Sequence, residues 1–168
     1  QAGDDMILKR MKRRHLREDA IRFCEDMRRA RPDIVFGADI IAGFPTETEA
    51  MFDNTRRIIG ECGIAFNHIF PYSPRPGTPA AKMPQVDPAI RKERAAILRQ
   101  EGEKALKAYL NTLVGREAEI IIEQNGHSGR SEHYALVDLG AEAHYTPGTT
   151  LRVKTTGVKD DHLTGITL

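Results

Sequence analysis

The chain has 168 residues, with 25 Lys+Arg against 24 Asp+Glu, 40% hydrophobic and 29% charged residues, no Trp and two Cys. This is the composition of an ordinary globular chain, neither disordered nor membrane-embedded: no apolar run approaches the ~20 residues of a bilayer span, so no membrane partner is expected. The first 30 residues lack the apolar core of a secretory signal, and Cys24 and Cys62 have no CxxC or other metal-ligand spacing, so a cytoplasmic protein with two buried, reduced thiols is expected.

The near-zero net charge conceals a gradient. Residues 1–31 hold ten bases and six acids, residues 32–112 ten of each, and residues 113–168 five bases and eight acids. The densest basic run is Lys9, Arg10, Lys12, Arg13, Arg14 and Arg17, with no acid between Leu8 and Arg17. It fits either a solvated helix face or a phosphate contact. The chain opens on Gln1 rather than Met, which suggests a segment of a longer parent.

Ala20, Cys24, Met27 and Ala30 recur at helical spacing behind Glu18 and Asp19, and Pro32 stops the pattern, predicting a helix over 17–30. Ile34 to Ile41 is short, apolar and β-branched, predicting a strand buried on both faces. Thr46 and Glu49 make a capping box for a helix with the stripe Met51, Phe52, Thr55, Ile58, Ile59 and Cys62, ended by Gly63. Ile64 to Phe70 is the next strand, and four prolines make 71–80 a loop. Asp87 and Pro88 start a long charged helix reaching about Thr112, with Ile90, Ile97, Leu98, Leu106, Tyr109 and Leu113 as apolar positions. After Gly115 the period becomes two. Runs at 117–123, 133–139, 150–156 and 162–167, separated by Asn125-Gly126, Gly140 and Pro147-Gly148, predict a small antiparallel barrel.

The expected class is α/β: the C-terminal half of a partial parallel α/β barrel over 1–85, a connector helix over 86–112, and an OB-like antiparallel β-barrel over 113–168. Two parallel strands are too few for a stable sheet, so the first part is expected to need the missing N-terminal half of its own protein, or to oligomerise.

The stretch from Gly37 to Glu49 leads from a strand through a glycine turn into a capped helix, which in an α/β barrel lies at the ligand-binding face. Gly43 permits close backbone approach and the helix start offers free N–H groups, although the same residues also make a plain turn. Three segments are more specific together: QAGDD and LKRMKR (1–5 and 8–13), DIIAGFPTET (39–48) and YSPRPGTPA (72–80). In order and spacing they resemble the radical S-adenosylmethionine methylthiotransferases, and the final barrel resembles the TRAM domain that ends those enzymes. HIFPYS (68–73) is most similar to the branch that acts on N6-threonylcarbamoyladenosine beside the tRNA anticodon.

The resemblance implies a parent enzyme that uses S-adenosylmethionine and two [4Fe-4S] clusters to add a methylthio group to C2 of that adenine, with tRNA as partner. Such clusters are held by cysteine thiolates. The family carries its cluster cysteines upstream of this segment, and Cys24 and Cys62 match neither set, so no catalytic residue and no metal ligand is expected here and the segment alone should be inactive. The resemblance further implies Gln1, Gly3, Arg13, Asp39, Ile41 and Gly43 around the cofactor, with the planar fork of Arg13 on its carboxylate. Tyr72 and Arg75 would meet the substrate base and its phosphates. In the barrel, Arg130, Arg152, Lys154 and Lys159 would form an RNA-binding patch, with Tyr134, Tyr145 or His133 as stacking partners. NGHSGRS (125–131) reads as a flexible loop, and His127, His133, His144 and His162 as exposed histidines without ligand spacing. Each of these residues also admits a purely structural role. Two other functions stay open: an RNA-binding module without chemistry, and a family member that modifies a ribosomal protein.

Overall fold

A buried aspartate opens the chain's first helix, one that hydrophobic periodicity does not reveal because it is only six residues long. In the computed structural model, which describes residues 1–168, Asp4 Oδ1 accepts the Met6 and Ile7 amides at 3.0 and 3.2 Å and starts α1 (Asp5–Arg10). Ile7 and Leu8 pin α1 against Ala2 and Phe44. α2 (Arg17–Ala30) has the predicted span, and the Asp19 carboxylate takes the Leu16 amide at 2.9 Å.

β1 (Phe36–Ala42) starts two residues later than expected, and it is not buried on both faces. Ile40 and Ala42 are buried while Gly37 and Asp39 are exposed. The physical reason is the sheet itself. β1 pairs in parallel with β2 (Ile64–Pro71) and with no third strand, and only the face carrying Ile40, Ala42 and Ile69 packs on Phe52, Ile59, Ala95 and Leu98. The opposite face, with Asp39 paired to His68 and Ile41 to Phe70, stays open.

α3 (Glu49–Cys62) is capped by Thr48 rather than by the predicted Thr46, with Thr48 Oγ1 accepting the Met51 amide at 3.4 Å. Thr46 is occupied elsewhere: it sits at φ +68° in the turn after Gly43, and its amide donates to Pro84 O at 3.0 Å. Gly63 closes the helix in the left-handed conformation, as expected. α4 (Pro88–Leu113) begins at the predicted proline, but its buried face differs from the reading. Arg94, Ala95, Leu98 and Leu110 are buried, and Ile90 is 41% exposed.

The chain forms two compact units, Gln1–Ala105 and Leu106–Leu168. In the second, β3 (Glu117–Ile122), β4 (Ser128–Ser131), β5 (Leu136–Asp138), β6 (Thr150–Lys159) and β7 (His162–Thr167) close a barrel in the order β3-β4-β5-β7-β6. Ile120, Ile122, Val137, Val153 and Leu163 fill it, together with Leu110. The barrel is not wholly antiparallel, since β5 and β7 run parallel. Direction cannot alternate all the way round a closed ring of five strands, so one parallel junction is obligatory. The supposed flexible loop at 125–131 is also corrected: Ser128–Ser131 is strand β4, with Ser128 and Gly129 buried. A Cβ on Gly129 would lie 2.6 Å from Ile121 O, so the glycine serves close strand approach. No helix is long and apolar enough to cross a membrane.

Candidate functional site

The parallel pair ends at its C-terminal edge in a cavity of about 470 Å³, lined by Gln1, Asp39, Ile41 and Phe70 and, from the proline-rich loop, Tyr72, Ser73, Arg75 and Thr78 among others. Five of the eight residues expected around cofactor and substrate thus meet there. Gly3, Arg13 and Gly43 do not line it. A pocket of this size suits a nucleoside-sized ligand, with apolar Ile41 and Phe70 beside Asp39 and Arg75.

Other expected residues are already engaged. The Ile41 amide donates to Gln1 O at 3.0 Å, so Gln1 extends along the free edge of β1. Gly3 donates to Thr55 Oγ1 at 3.0 Å, and a Cβ there would lie 2.5 Å from Asn54 O. Gly43 donates to Glu47 Oε1 at 3.1 Å, and a Cβ on it would overlap Arg91 Cγ. Both glycines therefore serve close packing. The Tyr72 ring packs edge-on to Phe44 with centroids 5.2 Å apart, and its hydroxyl is buried without a partner.

Residues that the sequence reading missed hold this mouth in place. On α4, Arg91 Nη1 donates to Tyr72 O at 2.9 Å, Arg94 Nη1 to Glu47 O at 3.0 Å and to Glu47 Oε1 at 2.9 Å, and Arg99 Nη2 to Ile69 O at 3.4 Å. Arg91 thus ties α4 to the proline-rich loop at the cavity, while Arg94 ties it to the turn before α3, which does not line the cavity. The Glu47 side chain is inaccessible and that of Arg94 is 8% exposed. Burial raises the Glu47 carboxyl above its ordinary value, outweighing Arg94 and the Gly43 amide, which pull it down. In the sequence these arginines look like any charged helix face; the sole signal was Glu47 inside a motif otherwise made of turn residues.

Cys24 and Cys62 lie together between α2 and α3. Burial, followed by its neighbour Cys24, pushes the Cys62 thiol up to about 12. Two buried thiols packed against each other in the core do not fit cluster ligation, and no group of three or more His, Cys, Asp or Glu is placed to hold a metal ion.

On the barrel, Arg152 and Lys154 share the outer face of β6 opposite Glu119 and Glu117, and Arg152 Nη2 pairs with Glu117 Oε2 at 2.6 Å. Arg130, on β4, pairs with Glu123 Oε1 at 3.1 Å and lies 4.5 Å from the Tyr134 ring centroid. Lys159 ends β6 beside His162, away from this face. The basic residues are thus interleaved with acids. His127, His133 and His162 are partly buried rather than exposed, and His127 Nδ1 lies 3.2 Å from Asp138 Oδ1. Tyr145 is partly buried against the barrel core, and His144 is exposed as expected.

No family model matches the chain. It is 48% identical over 97% of its length to a threonylcarbamoyladenosine tRNA methylthiotransferase of Rickettsia prowazekii. It is 42% identical over 85% to a tRNA-2-methylthio-N6-dimethylallyladenosine synthase of Ruegeria pomeroyi, and 36% identical over its whole length to the protein of that name in Roseobacter denitrificans. The chain spans 38%, 34% and 39% of these relatives' own lengths. Similarity along so much of the chain shows that it belongs to the tRNA methylthiotransferase family.

Proposed function

We propose that the chain is the back portion of a radical S-adenosylmethionine enzyme that places a methylthio group on C2 of N6-threonylcarbamoyladenosine in tRNA. In this reading the first unit is half of a partial α/β barrel and the second a TRAM-like barrel that grips RNA. The observation that carries it is the cavity at the C-terminal edge of β1 and β2, where Gln1, Asp39, Ile41, Tyr72 and Arg75 converge. Identity of 48% to the threonylcarbamoyl-directed relative, against 42% and 36% to the dimethylallyl-directed ones, supports the threonylcarbamoyl substrate.

The cavity fits S-adenosylmethionine in size and polarity: Asp39 would face its ribose or ammonium group, Arg13 its carboxylate, and Ile41 with Phe70 its adenine. When bound, that cofactor supplies the radical and methyl-transfer chemistry. This chain's part is positioning. Arg91 fixes the proline-rich loop that lines the cavity, Ile41 and Phe70 offer it an apolar face, and Arg75 offers a charge to a phosphate of the entering nucleotide. The [4Fe-4S] clusters would be held by the rest of the parent protein, because neither thiol here fits one.

The test is nucleoside analysis of tRNA from a strain lacking its own methylthiotransferases and expressing the full-length gene. The 2-methylthio derivative of N6-threonylcarbamoyladenosine is expected. The dimethylallyl product in its place would move the substrate to the other branch, and neither product would refute the reading.

A further inference from the structure

The basic run that the sequence left between two meanings folds into the last turn of α1 and the connection from it to α2. Three amides close the end of α1: Met11 to Ile7 O at 2.9 Å, Lys12 to Lys9 O at 3.0 Å and Arg13 to Leu8 O at 2.9 Å. This closure puts Lys12 at φ +60°, where helices ordinarily place glycine because a Cβ there is strained by roughly 1 kcal/mol. A lysine at that position gains nothing for the turn itself.

Its neighbours are equally without local purpose. Lys9, Lys12, Arg13, Arg14 and His15 are all exposed. Five other exposed arginines of this unit sit against carboxylates, Arg22 on Asp19, Arg29 on Asp26, Arg31 on Asp33, and Arg56 and Arg57 on Asp53, while Arg75 at the cavity does not. Lys9, Lys12, Arg13 and Arg14 have no such partner; the nearest acid in sequence before them, Asp5, accepts the Arg17 amide at 2.7 Å. Like charges left unpaired on one short turn repel one another and are relieved by a polyanion. The turn also lies close to the cavity: His15 at its end and Gln1, which lines the cavity, together line a second, smaller pocket.

We propose that the end of α1 and the turn after it, through Lys9, Lys12 and Arg14, form a contact surface for the phosphate backbone of the RNA whose nucleotide enters the cavity. The inference rests on the RNA-directed reading above and adds to it a second anchoring surface, on the first unit rather than on the barrel. Arg13, already assigned to the cofactor corner, is not needed for it. The contrast with the barrel is electrostatic: Arg130 and Arg152 are each neutralised by a glutamate, whereas the turn keeps its charge for a ligand.

The test measures binding of the 168-residue chain to an RNA hairpin with the sequence of a tRNA anticodon arm, as a function of salt. Three removed phosphate contacts lower the slope of log affinity against log salt by about 2, which amounts to roughly a hundredfold in affinity at ~0.1 M salt and to little at ~1 M. Lys9→Gln/Lys12→Gly/Arg14→Gln is expected to show both changes. Lys12→Gly alone relieves the positive φ, so it should unfold no more easily than the parent while still weakening RNA binding, which separates charge loss from misfolding. Arg152→Ala/Lys154→Ala is the comparison. Loss of binding in that variant with an unchanged slope in the triple variant would overturn the turn as a contact but leave the RNA-directed reading standing. No salt-sensitive binding by the unsubstituted chain would overturn the inference outright, while the nucleoside analysis would still decide the enzyme's activity on its own.

Discussion

Replacing Arg94 by Met should be among the most damaging single changes in the first unit. Methionine keeps much of the arginine stem's volume, so the loss is chiefly electrostatic. It leaves Glu47, whose side chain is inaccessible, with only the Gly43 amide at 3.1 Å on Oε1 and no partner on Oε2. A buried charge deprived of its partner costs about 3–5 kcal/mol, or a Tm drop of roughly 10–20 °C in a unit of this size. The pH dependence identifies the cause. The Glu47 carboxyl already lies above 4.5 in the folded chain because of burial, and without Arg94 it rises further. A group raised on folding binds its proton more tightly in the folded state. Its contribution is therefore full below the unfolded value of about 4.5 and is lost as pH climbs through the folded value. Urea unfolding followed by circular dichroism should accordingly show the smallest penalty for Arg94→Met near pH ~4.5 and the largest near pH ~8. Adding Glu47→Gln should restore most of the loss at the higher pH. A penalty below ~1 kcal/mol that does not vary with pH would refute the brace as a buried ion pair.

Gly43→Ala combines a positive φ with an overlap on Arg91, so it should destabilise by more than the ~1 kcal/mol expected for Gly140→Ala, where φ is also positive but nothing lies within 4 Å; equal losses in chemical denaturation would show that α4 yields at no cost. Cys24 and Cys62, 7% and 1% exposed and with the Cys62 thiol near 12, should resist iodoacetamide in the native chain and label together only as the unit unfolds. Mass spectrometry showing rapid native labelling of either thiol would contradict that burial.

Much of the local structure could be read from the residues. α2 follows from the spacing of Ala20, Cys24 and Met27, α3 from its stripe and Gly63, and the start of α4 from Asp87-Pro88. The site was legible in part. Asp39, Ile41, Tyr72 and Arg75 stand in short motifs beside strand ends, and the fold gathers them with Gln1 around one cavity. What failed did so where distant chain decided the outcome. Thr46 satisfies every local rule for a helix cap, yet Pro84 takes its amide and the cap passes to Thr48. Gly43 resembles a ligand-binding glycine, and it is the side chain of Arg91, 48 positions later, that needs its missing Cβ.

The sequence by itself determined most of the helices and strands, α1 and β4 excepted, since hydrophobic period, caps and prolines act over a few residues and are written next to one another. It also determined the family, through motifs that survive as short strings. Only the tertiary structure decided that β1 has an open face, that the barrel closes as a ring of five strands with one parallel junction, and that Arg94 on α4 closes a buried pair with Glu47. Those features depend on which surfaces meet across dozens of residues, and burial, which turns an ordinary carboxylate into a group needing a partner, exists only once they have met.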